Sequence, residues 1–150
     1  MEHRLDREHY QICLSDKAKL SAELTHDFVV SETCGAVVTF HGTTRNAAKD
    51  GKECVRLDYS AYGDMALKQL AKIIEATREK YQLHRVAVHH HLGSVPPLES
   101  GVIGMCHLLN IKRIRSFRLV ETQNGCVQRV RGDHEQIKIR GASLEARNLW

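Results

Sequence analysis

One long helical pattern between segments of strand character constrains the fold of this chain more than any other feature. Over residues 65–82, side chains suited to a core recur at three- and four-residue intervals, which is typical of a helix packed on a sheet. These positions are Leu67, Leu70, Ile73, Ile74, Thr77 and Tyr81. Asp64 precedes them as the predicted N-cap, because its carboxylate can accept from the free N–H groups of the first turn. The apolar side of such a helix must be covered by another element, and the neighbouring strand patterns indicate a sheet.

Four further segments predict the strands of that sheet. Residues 35–41 (GAVVTFH) and 54–60 (CVRLDYS) alternate in side-chain character, as strands with two different faces do. Residues 85–91 (RVAVHHH) and 101–109 (GVIGMCHLL) also have strand character. Proline cannot donate to a sheet ladder, so residues 93–97 (GSVPP) are expected to interrupt the sheet between these two segments.

A shorter helix is predicted near the N-terminus, where Ser15 and Asp16 can cap a segment that runs to about Asp27. The element order is then helix, strand, strand, helix, strand, strand. We therefore expect an α+β fold with a mixed or mainly antiparallel sheet and packed helices. The length of 150 residues fits a single domain over residues 1–150.

Bulk composition excludes several classes of protein. Hydrophobic residues make up 42% and charged residues 27% of the chain, which argues against intrinsic disorder. No apolar run approaches the roughly 18 residues of a membrane span, and residues 1–8 are too charged for a secretory signal. Five scattered cysteines without a Cys-x-x-Cys pair indicate reduced thiols rather than a disulfide framework or a zinc site. We expect a cytoplasmic protein without a membrane partner.

The last third of the chain is basic. Residues 1–108 contain 13 Lys/Arg and 14 Asp/Glu, whereas residues 109–150 contain nine Lys/Arg and four Asp/Glu, a net charge of +5. Such an excess suits an anionic partner or a solvated basic face. Nucleic acid is the disfavoured partner, because the basic segment 111–118 (IKRIRSFR) offers one aromatic side chain, Phe117, for stacking. Weaker patterns in this part predict a strand at 116–120, a turn at 121–125 and a helix fragment at 142–149.

The strand predicted at 35–41 leads into a polar loop that is suited to holding an anion. Gly42 permits close approach of the backbone to a ligand or a positive φ. Thr43 and Thr44 bring hydroxyl and N–H donors, and Arg45 brings a permanently charged fork that matches phosphate or carboxylate. An ordinary loop with a solvated arginine would have the same sequence. The loop therefore needs support from the residues around it.

Several blocks around this loop resemble the catalytic, large subunit of molybdopterin synthase. They occur in the order and at the spacing typical of that family, and they extend over residues 34–103. The blocks are Cys34-Gly35-Ala36, Phe40-His41-Gly42-Thr43-Thr44-Arg45-Asn46, residues 57–66 (LDYSAYGDMA), His90-His91-Leu92-Gly93, and Val95-Pro96 followed by Glu99. Because several independent blocks agree, the resemblance is specific although the loop alone is not.

The resemblance implies a fold and a reaction. The domain would be hammerhead-like and would form a homodimer that carries one small ubiquitin-like subunit at each end, a heterotetramer. The reaction would transfer sulfur from the thiocarboxylated C-terminus of the small subunit to cyclic pyranopterin monophosphate, to form the dithiolene of molybdopterin. Both reactants are anionic, so the site needs several Lys/Arg groups, and no metal or other cofactor is expected. By position, Thr43, Thr44 and Arg45 fall in the family's substrate-binding loop, and Arg45 is also assigned to catalysis.

Beyond the last of these blocks the chain departs from the family pattern, and two alignments remain open. In the favoured one, residues 140–146 (RGASLEA) match a His-Arg-Ala-Ala-Ser-Leu-Glu-Ala segment of the family, and residues 108–139 are an insertion. In the other, residues 112–117 (KRIRSF) take the His-Arg place and Lys138 stands for the family's final lysine. Arg140 is therefore a candidate for substrate binding and Lys138 for catalysis. The first alignment implies a truncated or spliced member that binds the small subunit or a full-length copy without turnover.

Other reactive residues have simpler interpretations. The histidines at 89–91 should not converge on a metal, because alternate residues of a strand face opposite sides; they are expected to be structural or to line the substrate. Cys34 is expected to be a small buried thiol rather than a nucleophile. Nothing in the sequence brings Asp58 and Glu99 together as an acid–base pair. Ser60 stands where the family often has glutamate.

Overall fold

The computed structural model describes residues 1–17, 20–46 and 53–109, together with the backbone of two strands at 128–130 and 135–139. Within these residues the chain forms nine strands and two helices. In chain order they are β1 (Glu2–Asp6), β2 (Tyr10–Ser15), α1 (Ala22–Val29), β3 (Ala36–Thr43), β4 (Leu57–Ala61), α2 (Gly63–Tyr81), β5 (Leu83–His91), β6 (Gly93–Val95), β7 (Ser100–Leu108), β8 (Gln128–Val130) and β9 (Glu135–Ile139). None of the described helices is long and apolar enough to cross a membrane.

Five strands form the main sheet, which has the order β1-β2-β5-β7-β3 in the described part of the chain. β2 and β5 are parallel, and the other neighbours are antiparallel. Helix α2 packs on one face, in a core that includes Ile12, Leu14, Leu70, Ile74, Val86 and Leu108. Helix α1 packs on the other face, in a smaller cluster of Val29, Ala87, Ile103 and Met105. Because both faces are covered, β5 and β7 can be apolar along most of their length.

The remaining strands form the small sheet, ordered β6-β4-β9-β8 among the described residues. β4 is antiparallel to β6 and parallel to β9. The register pairs Leu57 with Val95 on one side of β4 and Ser60 with Lys138 on the other. Leu57 and Val95 are buried, whereas Ser60 is exposed. The small sheet therefore brings a strand from the C-terminal third next to β4.

Local chemistry sets the ends of the helices. Helix α1 begins after Ser21, whose hydroxyl accepts a hydrogen bond from the N–H of Leu24 in an N-cap arrangement. Helix α2 begins after Tyr62, which makes no side-chain cap. It ends before Gln82, which adopts a left-handed φ of 53° and donates its N–H to the carbonyl of Arg78.

The predicted α+β fold is confirmed, and so are the strands at 35–41, 85–91 and 101–109. β3 extends the first of these through Gly42 and Thr43, which were expected to belong to the loop. β4 begins at Leu57 rather than at residue 54, and Val55 is 69% exposed. The sheet is interrupted before the prolines as expected, but residues 93–95 still form β6 in the small sheet.

Two predicted helix starts are wrong. Ser15 belongs to β2, which lies between β1 and β5 and is largely buried, so strand pairing prevails over the capping preference of Ser15. The first helix therefore begins at Ala22. Asp64 lies in the first turn of α2 rather than at its N-cap. The elements predicted at 116–120, 121–125 and 142–149 lie outside the described residues.

Candidate anion-binding site

The predicted anion loop begins where β3 leaves the main sheet. Thr43 pairs with Ser100 at the start of β7, and the register shifts between Gly42 and Thr43. Such a bulge bends the strand and redirects the chain. A Cβ at Gly42 would lie only 2.6 Å from Cγ1 of Val102, so a larger residue would displace the neighbouring strand. Glycine and bulge together direct the chain into the loop.

Thr44 anchors the loop to the turn that precedes β7. Its N–H donates to the carbonyl of Glu99 at 3.0 Å, and its carbonyl accepts from the N–H of Leu98 at 3.0 Å. Thr44 is only 3% exposed, and its buried hydroxyl has no hydrogen-bond partner within the described structure. Both donors of Thr44 therefore face the protein interior, and its first role is to hold the loop in place.

Arg45 and Thr43 face solvent, as does Asn46 at the far end of the loop. Among the described residues, no ion pair holds the guanidinium of Arg45. The N–H of Cys54 donates to the carbonyl of Asn46 at 2.8 Å, which ties the far end of the loop to the segment before β4. An exposed arginine between two anchored residues is arranged to receive an anion.

Tyr59 of the small sheet lies against the same end of β7. Its ring occupies the space that a Cβ at Gly101 would need, with the hydroxyl oxygen 3.1 Å from that position. The ring also meets His90 of β5 edge-on, with ring centroids 4.8 Å apart. Gly101 follows Ser100, which is the partner of Thr43 in the ladder. Tyr59 therefore places β4 beside the end of the main sheet that carries the loop.

His90 is the buried, neutral residue at this contact between β4 and the main sheet, which we call the joint. Its Nδ1 donates to the carbonyl of His91 at 2.6 Å. Burial lowers the pKa of His90 to about 4, and the hydrogen bond to His91 opposes that shift. The imidazole is therefore uncharged near pH 7 and brings no positive charge to this end of the sheet.

Lys138 lies in β9, and its place is defined by the strand register. It is opposite Ser60, the residue after Tyr59. Neighbouring strands are about 4.8 Å apart, so the backbone of Lys138 adjoins the strand that packs against Gly101. Arg140 lies outside the described residues. The structure thus groups the three loop candidates at one end of the main sheet and puts Lys138 in the adjoining sheet.

The histidines at 89–91 do not point to one place. His89 Nε2 lies 2.8 Å from Oε1 of Gln11, and its Nδ1 lies 3.5 Å from the Thr25 hydroxyl, on the face covered by α1. Burial lowers the pKa of His89. His90 faces the small sheet instead. Within the described ranges, no group of three His, Cys, Asp or Glu residues is arranged to hold a metal.

Asp58 and Glu99 belong to different networks. Asp58 accepts from Nε of Arg56 at 3.1 Å and from the hydroxyl of Ser94. Glu99 acts through its main-chain carbonyl, which anchors the loop. Cys34 is half-buried rather than fully buried.

Sequence reasoning misses the turn at residues 96–99 as part of this site. The turn meets the loop through the N–H of Leu98 and the carbonyl of Glu99. Main-chain atoms are present in every residue, so no side-chain pattern marks this contact. The pairing of Tyr59 with Gly101 is missed for a related reason, since a glycine that makes room for a ring resembles any other glycine in a strand.

Comparison with known proteins now decides the family. A family model described as MoaE protein matches residues 15–115, which is more than half of the chain. The chain belongs to the MoaE protein family. The resemblance seen in the sequence blocks is thereby confirmed over the segment that contains the loop.

Curated relatives of this MoaE chain are named molybdopterin synthase catalytic subunit. The protein of Taeniopygia guttata is 43% identical over 104 residues, which cover 69% of this chain and 66% of the relative. The protein of Culex quinquefasciatus is 44% identical over 86 residues, 57% of this chain and 54% of the relative. The Homo sapiens protein is 41% identical over 85 residues, 57% of this chain and 45% of the relative. The MoaE chain thus spans between 45% and 66% of the length of these three relatives.

Solved structures of the family share the fold. Molybdopterin synthase from Staphylococcus aureus superposes with a TM-score of 0.61 and 26% identity, over 69% of this chain and 74% of that one. Molybdopterin cofactor biosynthesis protein E from Burkholderia multivorans gives a TM-score of 0.59 at 19% identity, over 70% and 68% of the two chains, and supports the fold alone. Lys138 and Arg140 lie beyond residue 115, where the family match ends, so the choice between the two C-terminal alignments stays a prediction.

Proposed function

We propose that this MoaE chain acts in molybdenum cofactor biosynthesis as the catalytic subunit of a molybdopterin synthase. The substrate would be cyclic pyranopterin monophosphate, and the sulfur donor would be the thiocarboxylated C-terminus of a small ubiquitin-like subunit. The observation that carries the proposal is Arg45, which is exposed and free of ion pairs in the described structure, on a loop anchored at Thr44 and Asn46. Family membership supports the reaction class.

The chemistry requires that two anions meet. A cyclic phosphate and a thiocarboxylate repel one another, and several cations must hold them together. Arg45 would bind anionic oxygens in a bidentate manner, and the hydroxyl of Thr43 would add a donor. Thr44 would orient the loop through its main-chain hydrogen bonds to residues 98 and 99. Lys138 would supply a second cation from the adjoining sheet, and Arg140 a third.

The proposed assembly is a cytosolic heterotetramer. Two copies of this chain would form its centre, and one small subunit would bind at each end. No resident metal or cofactor is invoked, since the sulfur arrives in an activated form as a thiocarboxylate. Analytical ultracentrifugation of the chain with and without the small subunit measures this stoichiometry directly.

Turnover tests the proposal. The purified chain is supplied with cyclic pyranopterin monophosphate and the thiocarboxylated small subunit, and molybdopterin is measured as its fluorescent oxidation product. Arg45→Ala is expected to lower kcat/KM by roughly tenfold to a hundredfold, because a charged hydrogen bond contributes about 1.5–3 kcal/mol. Arg7→Ala, at the turn between β1 and β2, is a matched control. Equal rates for wild type and Arg45→Ala would contradict the role of the loop.

A non-catalytic member of the family is the second candidate function. It is favoured by the end of the family match at residue 115, before either candidate cation of the C-terminal third. Such a chain would bind the small subunit or a full-length copy and form no product. Turnover of wild type and Lys138→Ala separates the catalytic chain from the non-catalytic one. An active wild type that loses turnover in Lys138→Ala supports the catalytic function, whereas a wild type that binds the small subunit without forming product supports the non-catalytic one.

A further inference from the structure

Leu98 is both strained and exposed. Its φ is 71°, in the left-handed region that glycine and asparagine occupy but branched side chains rarely do. The side chain is 90% exposed, the highest value among the large exposed hydrophobic residues of the described structure. The positive φ is unfavourable for the backbone, and exposure to water is unfavourable for the apolar side chain. Strained positions that persist are concentrated at functional sites.

The surrounding turn holds Leu98 rigidly. Its N–H donates to the carbonyl of Thr44, and the adjacent Glu99 accepts from the N–H of Thr44, both at 3.0 Å. The N–H of Glu99 also donates to the carbonyl of Pro96 at 3.3 Å and closes the turn. Pro96 and Pro97 fix two φ angles in advance. The leucine is therefore presented in one place, which lowers the entropic cost of using it as a contact.

The position of Leu98 relates it to the anion loop. Two hydrogen bonds join residues 98 and 99 to Thr44, and Arg45 is the next residue along the chain. A small phosphorylated substrate offers little apolar surface for a leucine. A protein that delivers its C-terminus to Arg45 would come close to this adjoining turn, and it can supply an apolar side chain.

We propose that Leu98 is an anchor for the small sulfur-carrier subunit, with an apolar side chain of that subunit packing on it beside the thiocarboxylated tail. This inference rests on the function proposed above and adds a residue that determines recognition of the partner. Such anchors are few in an interface and carry a large share of the affinity.

Equilibrium binding of the full chain to the purified small subunit, measured by calorimetry, tests the inference. Leu98→Gly and Leu98→Ala are each expected to weaken binding about tenfold or more. Leu24→Ala removes another exposed leucine, 64% exposed on α1, and should leave binding unchanged. Leu98→Gly should also unfold at or above the wild-type temperature, because glycine adopts the positive φ without strain.

The outcomes are distinct. Wild-type affinity in both Leu98 variants would overturn the anchor role and leave the proposed function intact. A wild-type chain that does not bind the small subunit would overturn the proposed function and this inference with it. If the variants abolish self-association of the chain but bind the small subunit normally, Leu98 contacts a second copy and the inference is wrong.

Discussion

The two halves of the proposed site differ in how they are built. The loop half, from Gly42 to Asn46, is attached to the main sheet by a strand ladder. Hydrogen bonds join Thr44 to the turn before β7 and Asn46 to the segment before β4. The lysine half depends on β9, which the register places beside β4 of the small sheet. The first half lies within the family match, and the second lies beyond it. In the proposed function, the loop half contributes Arg45 and the C-terminal third contributes Lys138 and Arg140 to a reaction between two anions.

Because the two halves lie in different sheets, the contacts of Tyr59 between those sheets relate one half to the other. Its ring lies on Gly101 at the loop end of β7 and against His90 of β5, while its strand neighbour Ser60 pairs with Lys138. Together with Ala61, Tyr59 packs β4 against the core of the main sheet. Changes in the main sheet should therefore affect the whole fold, whereas changes at the joint should affect the relation between the two halves.

The largest effect is expected in the core of the main sheet. Ile12 of β2 is fully buried in the core between α2 and the main sheet. Ile12→Ala is expected to lower the free energy of unfolding by about 2–5 kcal/mol, from lost burial and a residual cavity. Urea denaturation measures it, with Val55→Ala as the control, because Val55 is 69% exposed. A loss below about 1 kcal/mol would show that the main sheet is not the stability core.

The joint between the sheets is expected to be sensitive to pH. The folded pKa of His90, about 4, lies below its ordinary value of 6.5, so the unfolded chain binds more protons between these pH values. The free energy of unfolding therefore falls as pH drops from about 6.5 to about 4, by up to about 3 kcal/mol from this residue. Denaturation of wild type and His90→Gln across that range measures the slope. Equal slopes would remove His90 as the cause.

At the loop end of the main sheet, a methyl group added at Gly42 is expected to lower stability and ligand affinity. Gly42→Ala would bring Cβ to 2.6 Å from Cγ1 of Val102. Overpacking of this kind costs about 1–3 kcal/mol and displaces the start of the loop. Both stability and ligand affinity should fall, and Val102→Ala should restore part of each by making room. A Gly42→Ala variant of wild-type affinity would mean that the bulge does not position the loop.

The smallest expected effect is a difference in how fast the cysteine thiols react with a labelling reagent. Burial raises the pKa of the Cys106 thiol to about 12, whereas Cys34 and Cys54 are only partly buried. A thiol reagent at pH 8 should modify Cys34 and Cys54 in the folded chain and Cys106 only after unfolding. Peptide mapping by mass spectrometry reads out each site. Fast native labelling of Cys106 would mean that β7 opens far more readily than a central strand should.

The sequence predicts β3, β5 and β7 of the main sheet but neither β1 nor β2. β5 and β7 carry apolar residues on faces that two helices cover, so their pattern is strong. β1 alternates exposed charges with half-buried residues, as in His3-Arg4-Leu5, and resembles a solvated segment. The loop residues of the candidate site can be proposed from the sequence because their side chains would carry the proposed chemistry. The turn that anchors them is not, because its contacts are made by main-chain atoms.

The most direct test of the account is binding of cyclic pyranopterin monophosphate to the chain without the small subunit, measured by calorimetry at low ionic strength. It does not depend on whether this MoaE chain turns over. We expect saturable binding that Arg45→Ala weakens by roughly tenfold to a hundredfold, while Arg7→Ala leaves it unchanged. Binding that is equally strong in wild type and Arg45→Ala would contradict the assignment of the loop as the anion-binding element.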